Sequence, residues 1–113
     1  MAIISFAKTK DEYLDGKKSV TRRDWTIRQH DMWQKFWGTG NLIHDAYDKS
    51  PRAGGKKMGQ FELTVRPYHE QLEDMPLSDL IAEGGMCKTV EEFCQFIGKT
   101  TDDVVTVIRF KKL

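Results

Sequence analysis

Gly16-Lys17-Lys18-Ser19-Val20-Thr21-Arg22-Arg23 is the stretch on which the reading of this chain turns. A glycine turn leads into a short β-prone run that carries four cations and two hydroxyls within eight residues. A core strand has no use for so many charges, and a surface loop has no use for alternating β-branched residues. The segment therefore predicts a strand whose start and polar face look onto something anionic. In an extended chain Val20 and Arg22 face one way, while Ser19, Thr21 and Arg23 face the other. Thr21 and Arg23 then sit side by side over a cleft. Lys18 has the wrong parity for that face unless it belongs to the turn after Gly16, from which its long stem can swing back over the strand.

Working outward, residues 2–6 form a short apolar run that predicts a first strand. Thr9 and Glu12 stand at capping-box spacing and start a helix that should stop at Gly16. Past the basic stretch, residues 27–37 carry Met32, Trp33, Phe36 and Trp37 at three- and four-residue spacings, the period of a helix. A turn at 38–41 precedes a strand over 42–47, and residues 49–57 form a basic loop rich in turn residues. Residues 58–68 read as one long strand with Phe61, Leu63 and Val65 on one face. Pro76 opens a helix over 76–82 that ends at Gly84-Gly85. Thr89 and Glu92 form a second capping box for Val90–Ile97, closed by Gly98. Residues 104–110 are an almost unbroken apolar strand, the mark of a central strand or one that closes a barrel. About five strands and three or four short helices, without a βαβ rhythm, predict an α+β fold. A small mixed β-barrel fits that pattern better than a doubly wound sheet.

At 113 residues the chain reads as a single domain, residues 1–113, large enough for a core without disulfides or a structural metal. Its 39% hydrophobic and 31% charged residues suit a globular protein and are too apolar for a disordered one. The net charge of +1 hides an asymmetry: residues 1–69 hold 13 Lys/Arg against 8 Asp/Glu, and residues 70–113 hold 5 against 9. A basic front half suits a phosphate-bearing partner but lacks the excess of proteins that hold DNA by charge alone. No apolar run approaches the roughly 20 residues of a membrane span. Cys87 and Cys94, seven apart, would lie about 10 Å apart along one helix, too far for a disulfide. With no signal-like N-terminus they read as reduced thiols of a cytoplasmic protein. His30, His44 and His69 are scattered, neither cysteine joins them in a zinc pattern, and no metal or cofactor is expected.

The Gly16–Arg23 stretch is similar to the signature of the ASCH domain, a branch of the PUA-like β-barrel superfamily. That signature is a Gly, any residue, a Lys, a Glu or Thr three further on, and an Arg two after that. Gly16, Lys18, Thr21 and Arg23 fill those places. Gly40-Asn41-Leu42-Ile43-His44-Asp45-Ala46-Tyr47 resembles the family's Gly-Asp strand that ends in an aromatic, with Asn41 in place of the Asp. Gly59 followed by Phe61, Leu63 and Val65 resembles its Gly-then-alternating strand, and the resemblance runs from about Ile3 to Phe110. It implies a PUA-like barrel of five or six strands with helices flanking a cleft. It also implies an association with RNA, and no common metal or cofactor. One branch resembles an amidohydrolase of N4-acylated cytidine that uses a Lys, a Thr and a Glu, and another is nuclease-like.

Two chemistries are therefore expected at the cleft. For recognition of RNA or a modified nucleotide, Lys18 and Arg23 pair with phosphate or a base carbonyl and Thr21 adds a hydrogen bond. Lys17, Arg22, Trp25, Tyr47, Arg52, Lys56 and Tyr68 are the further contacts expected, with Trp25 as a stacking platform. Arg52 and its neighbouring glycines can cradle an anion. For hydrolysis, a desolvated Lys18 deprotonates Thr21, whose oxygen attacks an amide carbonyl, and Glu83 orients the Lys. Lys18 and Thr21 match the amidohydrolases by motif, whereas Glu83 matches only by its approximate place. A metal-independent ribonuclease using a Lys with Tyr68 or His69, and a scaffold that only binds other proteins, are the remaining readings.

Overall fold

The glycine turn is built by a short helix. The protein, described here from a computed structural model over residues 2–113, forms α1 at Lys10–Leu14, after which Gly16 adopts the left-handed conformation at φ 75°. Gly16 N–H donates to Tyr13 O at 3.0 Å and Lys17 N–H to Glu12 O at 2.9 Å. This bond pair ends a helix in the Schellman manner, and the positive φ is one that only glycine takes without cost. Lys18 N–H adds a third bond, also to Glu12 O, at 3.1 Å. Lys18 thus belongs to the turn, and strand β2 (Val20–Arg23) begins two residues later. Thr9 differs from its expected role. Its side chain makes no capping bond and is buried in the wall of the cavity described below.

The other strands are β1 (Ile3–Ser5), β3 (Ile43–Tyr47), β4 (Lys57–Leu63), β5 (Tyr68–Gln71) and β6 (Val104–Lys112). They make one sheet in the order β1-β3-β4-β6-β2, with β5 also on β6. Only β1–β3 is parallel. The apolar strand β6 is central, as its sequence predicts: β2 pairs along one edge, β4 and β5 along the other. The sheet curls into a half-barrel flanked by α1, α2 (Ile27–Gly38), α3 (Ser78–Ala82) and α4 (Val90–Ile97), a small α+β barrel-like fold. Its edge strands β1 and β2 are bridged by a side chain, Arg23 Nη2 donating to Ser5 O at 2.7 Å.

The long strand expected over 58–68 is two strands. Leu63 pairs with Phe110 and Tyr68 with Val107, so four residues of the outer chain face two of β6. Pro67, which has no N–H to give to a ladder, sits in that break. Val65 consequently leaves the face of Phe61 and Leu63 and is exposed, while those two are buried.

Two apolar clusters fill the interior. The first joins Ile4, Phe6, Tyr13, Trp33, Phe61, Ile108 and Phe110 across the curled sheet, and the second joins Leu72, Met75, Leu80, Phe93, Cys94 and Val105 beneath α3 and α4. α2 starts at a capping box of Thr26 and Gln29 and turns Trp33 into the first cluster, with Phe36 and Trp37 packed against it. Cys94 is buried on α4 and Cys87 precedes that helix, so the two do not share it; both are free thiols. Among the described residues no helix is long and apolar enough to cross a membrane.

Candidate functional site

A cavity of about 360 Å³ opens where the two apolar clusters meet. Its walls come from the end of β1 with the loop after it, from β2, from the end of α3 and from α4. Phe6, Met86, Phe93, Phe96, Ile97 and Val105 supply apolar surface. Lys18, Thr21, Arg23 and Glu83 supply the polar side, so the three residues expected to be catalytic and the motif arginine share one hollow.

Local structure explains the convergence. Ser19 N–H donates to Ala82 O at 2.8 Å and Phe110 N–H to Ser19 O at 2.9 Å, which ties the start of β2 to the end of α3 and to β6. Glu83, the residue after that helix end, is thereby held beside Lys18. Lys18 Nζ donates to Glu83 Oε1 at 2.9 Å and to Glu83 O at 2.7 Å, and both side chains are buried. Burial pulls the Lys18 amine below its ordinary value, and the nearby Arg22 and Arg23 charges add to that; the charge and hydrogen bond of Glu83 oppose it. Arg23 Nε donates to Thr21 Oγ1 at 3.0 Å. The guanidinium thus fills an acceptor position of the hydroxyl and leaves the Thr21 proton for another group. Thr21 and Arg23 share a face, as strand alternation requires.

Arg22 faces the other way and departs from its expected role as a nucleic-acid contact. Its guanidinium has no exposed surface and bonds three carboxylates: Nε to Glu70 Oε1 at 2.8 Å, Nη2 to Asp79 Oδ2 at 2.5 Å and Nη1 to Glu83 Oε2 at 3.0 Å. Burial opposes its charge, but the hydrogen bonds to Glu70 and Asp79 and the charge of Glu83 outweigh that and raise its affinity for its proton. Asp79 also takes a bidentate pair from Arg109, Nη1 to Oδ1 at 3.0 Å and Nη2 to Oδ2 at 2.6 Å. Burial works against the Asp79 carboxylate, yet the bonds from Arg109 and Arg22 hold it below its usual range. Glu83 is the hinge of this network. One of its oxygens faces Lys18 and the other faces Arg22, so its charge is divided between them.

The remaining expected contacts lie elsewhere. Lys17 is exposed in the turn, and Arg52 and Lys56 are exposed in the loop between β3 and β4, of which Ser50 reaches the cavity. Trp25 is half-buried and stacks on Trp33 at 5.3 Å, so that ring face is already covered. Tyr47 is half-buried at the end of β3, opposite Ser5. Tyr68 accepts from Arg109 Nε at 3.1 Å, on the far side of the ion network. His69 stacks on His30 at 3.6 Å and lines no part of the cavity.

Sequence reasoning missed Lys8 and Lys99 on the cavity wall and Glu70, Asp79 and Arg109 behind it. Asp79 had a readable signal, because it stands four residues before Glu83 and so one helical turn from it. Glu70 and Arg109 come from distant strands and had none. Among the described residues no group of three or more His, Cys, Asp or Glu is placed to hold a metal ion. No family model, curated protein or solved structure matches the chain.

Proposed function

We propose that this protein recognises a single nucleobase or nucleoside, in the manner of the ASCH-type domains that its Gly16–Arg23 stretch resembles. The observation that carries this reading is the cavity. At about 360 Å³ it has room for one base with its sugar rather than a run of stacked nucleotides, and small-molecule sites span roughly 300–1,000 Å³. Phe6, Met86, Phe93, Phe96, Ile97 and Val105 give a base an apolar wall. On the polar side of the same lining Arg23 and Lys18 offer donors and Glu83 an acceptor, the mixture that the edge of a base needs. Titration by calorimetry with mononucleosides and with short single-stranded RNA tests the reading. Nucleosides are expected to bind and to compete with RNA for the protein. RNA held tightly and not displaced by any mononucleoside contradicts it.

A second reading, amide hydrolysis of an N4-acylated cytidine, is favoured by one contact, the buried Lys18–Glu83 pair on the same wall as Thr21. In it, Lys18 in its neutral form takes the Thr21 proton through one bridging water, since among the described residues Lys18 Nζ bonds Glu83 and not Thr21, as Oγ1 bonds to the acyl carbon. The C–N bond then breaks, the leaving amine takes the proton back from Lys18, and water hydrolyses the acyl ester on Thr21 to a carboxylate. Arg23 Nε–H stabilises the developing charge on Oγ1, and Glu83 keeps the amine in line. Cytidine release from N4-acetylcytidine by the wild type and not by Lys18→Ala supports hydrolysis. Binding of N4-acetylcytidine without turnover leaves recognition alone.

A further inference from the structure

The ionisable groups lining the cavity mostly cancel. Lys18 is paired with Glu83 and Lys99 with Asp24, while Arg22 is turned behind Glu83 onto three carboxylates. Two cations of the lining remain, Arg23 and Lys8. Among the described residues neither has a carboxylate within 4.0 Å. Both are held in place by neutral groups: Arg23 by Thr21 Oγ1 and Ser5 O, and Lys8 by Phe96 O at 3.0 Å with its amine 5.1 Å from the Phe96 ring centre. Each therefore brings to the cavity a charge that no described carboxylate pairs within 4.0 Å.

A neutral nucleoside leaves that excess of two charges unanswered, whereas a phosphomonoester carries about −1.5 to −2 at pH 7. We infer that the occupant is a nucleoside 5′-monophosphate, its base against the apolar wall and its phosphate met by Lys8 and Arg23. This rests on the reading of the cavity as a base site. Phosphate recognition thus joins Lys8, outside the Gly16–Arg23 stretch, to Arg23 within it, because the Lys18 charge is already met by Glu83.

Calorimetric titration with the four nucleoside 5′-monophosphates, their nucleosides and inorganic phosphate, at low and high salt, tests the inference. At least one monophosphate is expected to bind about tenfold or more tighter than its nucleoside, as charge-assisted hydrogen bonds allow. The margin narrows as salt rises. Lys8→Ala removes most of the margin and leaves nucleoside affinity in place, Lys8→Arg restores it, and Asp24→Asn widens it by freeing Lys99. Lys8 and Asp24 are exposed, so these variants are expected to fold. Equal affinity for nucleoside and monophosphate, or a margin that neither Lys8→Ala nor Asp24→Asn moves, overturns the inference while the base site stands. Inorganic phosphate that competes with the monophosphates when no nucleoside does supports the phosphate site and defeats the base site. Binding of none of the probes defeats both.

Discussion

Replacing Arg22 with Ala removes the one cation that bonds Glu70, Asp79 and Glu83 together. Breaking a buried pair in this way costs about 3–5 kcal/mol, because carboxylates are left uncompensated out of water. Urea unfolding is expected to show a loss of that order for Arg22→Ala. Arg23→Ala, by contrast, empties the cavity wall of a guanidinium and is expected to weaken ligand binding far more than it lowers stability. Equal effects of the two variants on both measurements would remove the distinction between the faces of β2. That distinction was legible in the sequence, since alternation alone puts Thr21 and Arg23 together and Arg22 apart. What Arg22 meets was not legible, because Glu70 and Asp79 reach it across 48 and 57 residues of chain. For Lys18 the pH dependence has a definite sign. Burial holds its amine below the ordinary 10.5, so the hydrolysis reading predicts a rate that rises with pH to a midpoint below that value. A rate that falls over the same range would exclude Lys18 as the base.

At the scale of elements, two helices end in the same motif and deliver a lysine to the cavity. α1 ends at Gly16, two residues before Lys18. α4 ends at Gly98, with φ 71° and Lys99 N–H donating to Cys94 O at 2.8 Å. An L side chain in the left-handed region costs roughly 1–2 kcal/mol. Gly16→Ala is therefore expected to lower stability by about that much in urea unfolding, and to weaken ligand binding as well, because the turn carries Lys18. Loss of stability with unchanged binding would show that Lys18 does not depend on the turn. Both glycine stops were readable, as was the Thr89 cap, whose side chain accepts from Glu92 N–H at 3.1 Å. Thr9 misled because capping-box spacing does not say where the side chain points, and here the cavity wall claims it. The break in residues 58–68 was signalled by Pro67. The β pattern on either side outweighed that signal because both halves pair with the same strand.

At the scale of the whole molecule, buried neutral imidazoles bind stability to pH. His44 has no exposure; its Nδ1 accepts from Ala2 N–H at 3.1 Å and its Nε2–H donates to Asn41 O at 2.8 Å. Burial pulls it below the ordinary 6.5, and burial with the His69 charge does the same to His30. Unfolded chains take up protons first as pH falls, so the stability present above about pH 6.5 declines below it, towards the lowered folded values. Urea midpoints measured from about pH 7.5 to 5.5 are expected to fall in the wild type and to fall less in His44→Gln; identical slopes would clear His44 of the effect. The barrel-like architecture was legible in the alternation and punctuation of the chain. The polar wall of the cavity was legible in the Gly16–Arg23 stretch, whereas its apolar wall was not, since that wall draws on two core clusters whose members are dispersed along the sequence. The central claim is that this cavity holds the ligand, and backbone amide NMR during titration with a mononucleotide tests it most directly. The account predicts shifts concentrated at residues 5–9, 18–24, 83–86 and 93–99. Shifts confined to the 49–57 loop, or spread over α2 with the cavity silent, would contradict it.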